Sequence, residues 1–582
     1  MVKQVLQIHD LAFVFRPKFL AVKILFYNGT YIVFPSYENS WRQMRKVCLV
    51  ESFSVKNVKL FRFIRQDEVL RMIEFFQSSY RETVNATKMI YQFASSMNCR
   101  STFGKYLKLV IKETFRFHPP LPVLLPRLSM FHLLGGLPHQ VLRDLAKKYG
   151  PIMHLQLGEV SLVVVTSPDM AKQVLKTHDL AFASRPKLLA ADILFYNGTD
   201  VVFSPYGEYW KQMRKICLLE LLSAKNVKSF NSIRQDEVLR MIDFFQSSTG
   251  ETVNATKKFY QFSSSMTCRA TFGKVLKEQD ELILLVKKAS KFVEGFDVAD
   301  IFPSLKFLHV LCGMKGKIMD AHHELDVILE NIINEHKNNG ELGGEGNLVA
   351  TLLRLMKEGG FQFPITNDNI KAIIFDMFGA GTETSSTTID WTMVEMMRNP
   401  NVLSKAQAEV RNMFRGKETF DENDVEELKY LKLVVKESLR LHPPFPLLLP
   451  RECREEVDIN GYTIPLKTKG MVNTWAIGRD HKYWSDAESF KPERFEHNYM
   501  DFVGNNFEYL PFGSGRRNCP GISFGLANVY FPLAQLLYHF DWKLPSGIKP
   551  SDLDLTESAG VTCARKSNLY LIAAPHQPRR QE

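Results

Sequence analysis

Phe512-Gly513-Ser514-Gly515-Arg516-Arg517-Asn518-Cys519-Pro520-Gly521 is the stretch on which the reading of this chain turns. It is a glycine-rich loop with a single cysteine just ahead of an apolar segment, Ile522–Phe540, whose pattern predicts a helix. A helix N-terminus favours a thiolate, and the free N–H groups of such a loop can point at its sulfur. One thiolate cannot build a zinc or iron–sulfur site, which needs three or four ligands. It can be the single axial ligand of a haem iron. The plain alternative is a buried, inert cysteine, against which the spacing F-x-x-G-x-R-x-C-x-G argues.

That segment resembles the haem-binding signature of the cytochrome P-450 family. The resemblance implies Cys519 as the iron ligand, with Phe512, Gly515 and Gly521 as signature positions around haem b. Four further motifs fit it. Glu437-Ser438-Leu439-Arg440 is E-x-x-R, whose charges share one helix face. In the family this pair is buried and locked by the arginine of a P-E-R-F segment, here Arg494, as a structural latch. Ala380-Gly381-Thr382-Glu383-Thr384 lies mid-helix, where a glycine costs about 1 kcal/mol relative to alanine. Small residues there would let oxygen and substrate approach, and a local bulge would free a backbone carbonyl. The resemblance makes Thr384 and Glu383 the catalytic proton-handling pair; an exposed acid beside a back-bonded threonine is the bland alternative. Trp210 and Arg214, one helical turn apart, resemble the family's contacts to a haem propionate, as do Arg451 and Arg517. Together their charge suits a buried dicarboxylate cofactor.

The remaining chain is organised by an internal copy. Residues 2–105 recur as 171–274 at a constant offset, with about two-thirds of positions identical. Ile64–Ile73 and Ile233–Ile242 both read IRQDEVLRMI. Tyr106–Arg127 then matches Tyr430–Arg451. Two non-contiguous fragments are no solenoid, which stacks three or more units. We read residues 1-105 and 106-128 as a partial duplication or a fused gene model, and 129-582 as the catalytic domain. The copy brings Trp41, Arg45, Glu113 and Arg116 but no second cysteine loop and no second Ala-Gly-Thr-Glu-Thr, so it can form no second haem site.

The 582 residues are 45% hydrophobic and 24% charged, which excludes disordered and collagen-like classes. Eight cysteines without a C-x-x-C pair give neither a disulfide scaffold nor a zinc ribbon. The net charge of +11 does not indicate nucleic acid. Residues 1–128 hold 20 basic and 8 acidic side chains, against 54 and 55 in the other 454. No run of 18 apolar residues and no signal-peptide pattern occurs. The spacing of apolar residues predicts helices over Leu137–Tyr149, Asn226–Gln246, Lys315–Lys337, Asn367–Arg398 and Tyr430–Leu441. Ile152–Leu157 and Leu162–Val165 read as a hairpin, Gly340–Gly346 as a flexible loop, and 443–511 as short-stranded. The expected fold is mainly α with small β-sheets, the cytochrome P-450 fold.

The expected function is a haem-thiolate monooxygenase inserting one oxygen atom from O2 into an apolar small molecule. Segments such as HQVLRDLAKKYGPIMHLQLGE resemble the plant terpene-oxidising branch. The resemblance implies NADPH-derived electrons from a flavoprotein reductase and a place on the cytosolic face of the endoplasmic reticulum membrane. The family's usual apolar anchor and Pro-rich hinge are replaced here by the duplicated fragments. The four N-x-T sites, at Asn28, Asn85, Asn197 and Asn254, are therefore expected to be unglycosylated. Two other readings stay open: a haem-thiolate isomerase or dehydratase, independent of NADPH, and a non-catalytic fusion product that loads no haem. Substrate-facing positions are expected in Lys187–Asn197 and near Phe296–Val298. Removal of Met1–Leu128 is expected to leave haem content per protein unchanged or higher, measured on both purified chains.

Overall fold

A computed structural model describes residues 127–129, 136–276, 279–293, 298–305, 314–338, 347–417, 420–497, 500–558 and 560–576. The duplicated fragments up to residue 126, the loop Gly340–Gly346 and Phe296 lie outside these residues. Everything that follows concerns the unit from Val123 onward.

The unit is mainly helical. Its longer helices are α1 (Pro138–Tyr149), α2 (Glu208–Ile216), α3 (Asn231–Ser247), α4 (Ala255–Phe272), α5 (Gln279–Phe292), α6 (Met314–Asn338), α7 (Leu348–Glu358), α8 (Asn367–Arg398), α9 (Pro400–Met413), α10 (Lys429–Leu441) and α11 (Ile522–His539). Strands β1 (Arg127–Ser129), β2 (Ile152–Leu157), β3 (Val160–Val165), β5 (Arg451–Glu452) and β8 (Lys469–Val472) form one sheet, in the order β1-β2-β3-β8-β5. A second sheet joins β4 (Thr252–Asn254), β10 (Tyr570–Pro575) and β9 (Phe540–Lys543), and β6 (Val457–Ile459) pairs with β7 (Tyr462–Ile464). No helix of the described residues is long and apolar enough to cross a membrane.

The predicted hairpin forms, with Ile152 opposite Val165 and Leu157 opposite Val160. Its turn needs Gly158, at φ +61°, because a Cβ there would lie 2.7 Å from Ile301 and Phe302. Three boundaries differ from the sequence reading. The predicted helix Asn226–Gln246 is two helices, Ala224–Ser229 and α3, because Phe230 leaves helical geometry and turns inward against Phe524. The last helix stops at His539, since Phe540 is taken by the β9–β10 ladder. Arg127–Ser129 pairs in parallel with β2, so the sheet starts two residues before the expected boundary at 129. A truncation that spares this edge strand therefore begins after Pro126.

Helix α8 positions the site. Its N-terminus is closed by a capping box between Thr366 and Asn369, and its 32 residues span about 48 Å. Ile370, Ile373, Ile374 and Phe378 belong to one apolar cluster, with α6 and α7. Ile389, Met393, Val394 and Met396 belong to another, with α9, α10 and α11. A helix apolar on nearly all sides must run through the interior, and between these two clusters it carries Gly381, Glu383 and Thr384.

The latch sits beneath this core. Glu437 and Arg440 are 0% and 1% exposed. Arg440 Nε and Nη2 donate to the two Glu437 oxygens at 2.7 and 2.8 Å, a bidentate pair. Arg494 Nε donates to Glu437 Oε1 at 2.9 Å, and so does the Lys491 amide at 2.8 Å. Arg440 also donates to the carbonyls of Gly478, Ala487 and Ser489. The triad thus ties α10 to the segment 478–494. Glu437→Ala leaves a buried guanidinium without its carboxylate, and we expect a loss of about 3–5 kcal/mol, read as a lower urea midpoint.

Candidate active site

The cysteine loop is built by its own backbone. The Cys519 amide donates to the Phe512 carbonyl at 3.0 Å, and the Asn518 amide to Gly515 at 3.1 Å, closing a short 3₁₀ turn. Gly515 is obligatory: it has φ +73°, and a Cβ would lie 2.2 Å from the Leu175 carbonyl oxygen. Gly521 precedes α11, and its amide is aimed at the Cys519 sulfur. Of the five cysteines among the described residues, four are buried; Cys519 alone keeps an open face, which lines a cavity. Burial pushes its thiol up, against the opposing pull of the Gly521 amide and Arg214. The expected preference for thiolate at the helix terminus is thus outweighed by burial in the protein alone. A coordinated metal cation reverses this, because it deprotonates the thiol that binds it.

Four guanidiniums gather at the same cavity: Arg185, Arg451 and Arg517, all buried, and the half-buried Arg214. Arg214 Nη2 donates to the Asn518 carbonyl at 2.7 Å and to its side chain at 2.6 Å. Arg451 donates to the Ser514 carbonyl at 2.7 Å and pairs with Asp179 at 3.2 Å. Arg517 donates to Ala183 and Ser204 at 2.7 and 2.6 Å. Arg185 donates to the carbonyls of Val202, Leu449 and Pro450, each at 2.9 Å. Among the described residues, Arg451 alone of the four makes a carboxylate ion pair. Burial pushes Arg517 down to about 9, with Arg451 adding to the effect. Arg185 is lowered further by burial, then by Arg517 and Arg451.

Arg185 was not singled out from sequence. Its one trace there is the Arg-Pro pair that recurs as Arg16-Pro17 in the copy. Trp210 differs from expectation in another way. Its indole donates to the Val201 carbonyl at 3.0 Å, and its ring lies 4.0 Å beneath the Arg517 guanidinium. It therefore supports Arg517 by stacking and does not line the cavity.

The cavity measures about 1410 Å³, more than one small ligand requires. Cys519 and Phe512 line it together with the four arginines, and Gly381, Glu383 and Thr384 line it from α8. One thiol with an open face, and four gathered cations of which only Arg451 forms a carboxylate ion pair, fit an iron porphyrin bearing two carboxylates. Helix α8 itself stays α-helical through Ala380–Thr384, without the expected bulge. Thr384 Oγ1 donates to the Ala380 carbonyl at 2.7 Å, the back-bonded arrangement. Gly381 is required by packing: a Cβ would lie 3.2 Å from Thr267 Oγ1 on α4 and 3.4 Å from Phe524. Burial pushes the Glu383 carboxyl up, while Lys287 and a hydrogen bond with Thr562 pull it down. Of the predicted substrate loop Lys187–Asn197, Phe195 alone reaches the cavity, because Leu189–Leu194 is helical.

Arg185→Met removes one of these cations. We expect haem to leave the protein about tenfold faster or more, the cost of one charged hydrogen-bond partner. Transfer of haem to apomyoglobin measures this.

A profile of the cytochrome P-450 family matches residues 128–572. Premnaspirodiene oxygenase of Hyoscyamus muticus is 72% identical over 471 residues, covering 80% of this chain and 94% of that protein. The 5-epiaristolochene 1,3-dihydroxylase of Nicotiana tabacum is 67% identical over 473 residues, covering 80% and 94%. A zebrafish cytochrome P-450 solved with progesterone aligns at a TM-score of 0.67 and 25% identity, over 75% of this chain and 99% of that one. The fold and the cysteine loop agree with these likenesses: the chain belongs to the cytochrome P-450 family and is a monooxygenase.

Proposed function

We propose that this monooxygenase hydroxylates a sesquiterpene hydrocarbon of the premnaspirodiene or 5-epiaristolochene type, using NADPH-derived electrons from a flavoprotein reductase. The observation that carries the reading is the cavity's composition. Its lining includes the apolar Val286, Val293, Met377, Leu448 and Val561, with the polar Glu383, Thr384 and Thr388 among them. Such a surface holds a hydrocarbon by burial alone and offers it few competing polar partners. The names of the two plant relatives agree with that chemistry.

Bound haem supplies the activation of oxygen. The chain's own groups do the rest. Cys519 holds the iron through its sulfur. Arg185, Arg214, Arg451 and Arg517 neutralise the two carboxylates and fix the orientation of the ring. The apolar wall excludes water from the reacting face. Thr384 Oγ1 holds a proton at the cavity surface, now donated to the Ala380 carbonyl. Glu383, the adjacent residue, has its carboxyl pushed up by burial and can exchange a proton with that hydroxyl. By family likeness the enzyme works at the endoplasmic reticulum membrane. The fragments before Arg127 are read as a partial copy that adds no second site.

Supplying premnaspirodiene or 5-epiaristolochene with NADPH and a plant reductase should yield hydroxylated product; no turnover of either would overturn the substrate class. Thr384→Ala is expected to keep haem content while lowering product per NADPH, with hydrogen peroxide released instead. General acid–base contributions reach about 10²–10⁴-fold, and because water can replace a hydroxyl we expect the low end. Product, NADPH and peroxide measured in one reaction decide it.

A further inference from the structure

Asp200 and Asp376 take part in none of these steps, yet they are 0% and 4% exposed. They meet at one short segment, Val201–Ser204. Asp376 Oδ2, from α8, accepts from the amides of Val201 and Val202 at 2.8 and 3.3 Å. Asp200 Oδ2 accepts from the Phe203 amide at 2.6 Å. The carbonyls of the same segment serve the cofactor cradle. Val201 O accepts from Trp210 and Arg517, Val202 O from Arg185, and Ser204 O from Arg517. Amides bind the acids and carbonyls bind the cations, so this segment is the link between them.

The other oxygen of each acid, Oδ1, is buried and has no hydrogen-bond partner. Two ionised carboxylates in one buried site repel, and each orphaned oxygen adds an unmet desolvation cost. One proton on the pair relieves that repulsion and turns one of the two orphaned acceptors into a hydroxyl. The surrounding groups favour this split. Arg517 and Arg185 act on Asp200 and favour its charge. Asp376 faces the neutral Cys217 thiol and Tyr209, and Arg214 acts on Cys217 beyond them. Burial pushes both carboxyls up, and Asp376 further because Asp200 lies beside it.

We propose that Asp200 and Asp376 share one proton, carried by Asp376, and that this carboxyl–carboxylate pair positions the segment whose carbonyls hold Arg185 and Arg517. Both acids are positioning residues. The shared proton stands on the protein alone, while its consequence for haem rests on the cradle described above.

Infrared spectroscopy tests the proton directly. At about pH 8, well above the ordinary carboxyl range, the wild-type chain should show a protonated-carboxyl band that is absent from Asp376→Asn. Labelling aspartate with ¹³C should shift that band in the wild type, which separates it from Glu383, and its loss in Asp376→Asn separates it from the buried Asp390. The amide oxygen of Asp376→Asn can still accept from Val201 and Val202, so haem should be retained within about twofold. Asp376→Ala accepts from neither and should lose haem at least about tenfold faster. No isotope-shifted band, a band that survives in Asp376→Asn, or equal haem loss from the two variants would overturn the proposal. The band does not depend on haem, so a failed cradle would leave it in place.

Discussion

Positive charge buried at the edge of one cavity is the constraint around which this fold is arranged. Three guanidiniums are fully buried there and a fourth is half-buried. A buried cation without a partner is costly, and the protein meets that cost with backbone carbonyls. These come from residues far apart in the chain: Ala183, Val202, Ser204, Leu449, Pro450, Ser514 and Asn518. The sheet that carries Arg451, helix α2 that carries Arg214 and the cysteine loop that carries Arg517 are thereby brought together. Carbonyl oxygens satisfy the N–H groups but leave much of the positive charge, which suits a dianionic ligand.

Helix α8 supplies the second half of the site and contributes to both large apolar clusters. The same helix fills both apolar clusters and approaches α4 closely at Gly381. Stability and reaction geometry are therefore coupled along it: a side chain at 381 would push against Thr267 before it entered the cavity. Asp376, two turns before Thr384, binds the segment that holds the arginines. Glu383, Thr384 and the segment that holds Arg185 and Arg517 are thus registered to one helix.

What could be read from sequence was what is local in sequence. The cysteine loop is ten consecutive residues, and its glycines are forced by the same turn they announce. The latch was legible because i and i+3 share a helix face and because Arg494 stands in a short flanking motif. The span of α8 followed from its apolar pattern. Long-range geometry was not legible. Arg185 binds carbonyls 264 and 265 residues away, and nothing in its neighbours' spacing marks it. Trp210 shares a face with Arg214, but its indole turns to Val201, a choice made by the tertiary path of residues 199–204. Gly381 was legible as a glycine needing a reason, and the reason is a helix crossing that sequence cannot contain. The bond from Val201 to Asp376 joins residues 175 positions apart and leaves no periodic trace.

The most direct measurement of the central claim is the spectrum of the purified, reduced, CO-bound protein, recorded for the wild type, Cys519→Ser and Cys453→Ser. A thiolate trans to CO gives the red-shifted Soret band of haem-thiolate proteins. The wild type should show that band, Cys453→Ser should keep it because Cys453 is buried and bonded to the Glu455 carbonyl, and Cys519→Ser should lose it. A Cys519→Ser protein that retains the band would contradict the account.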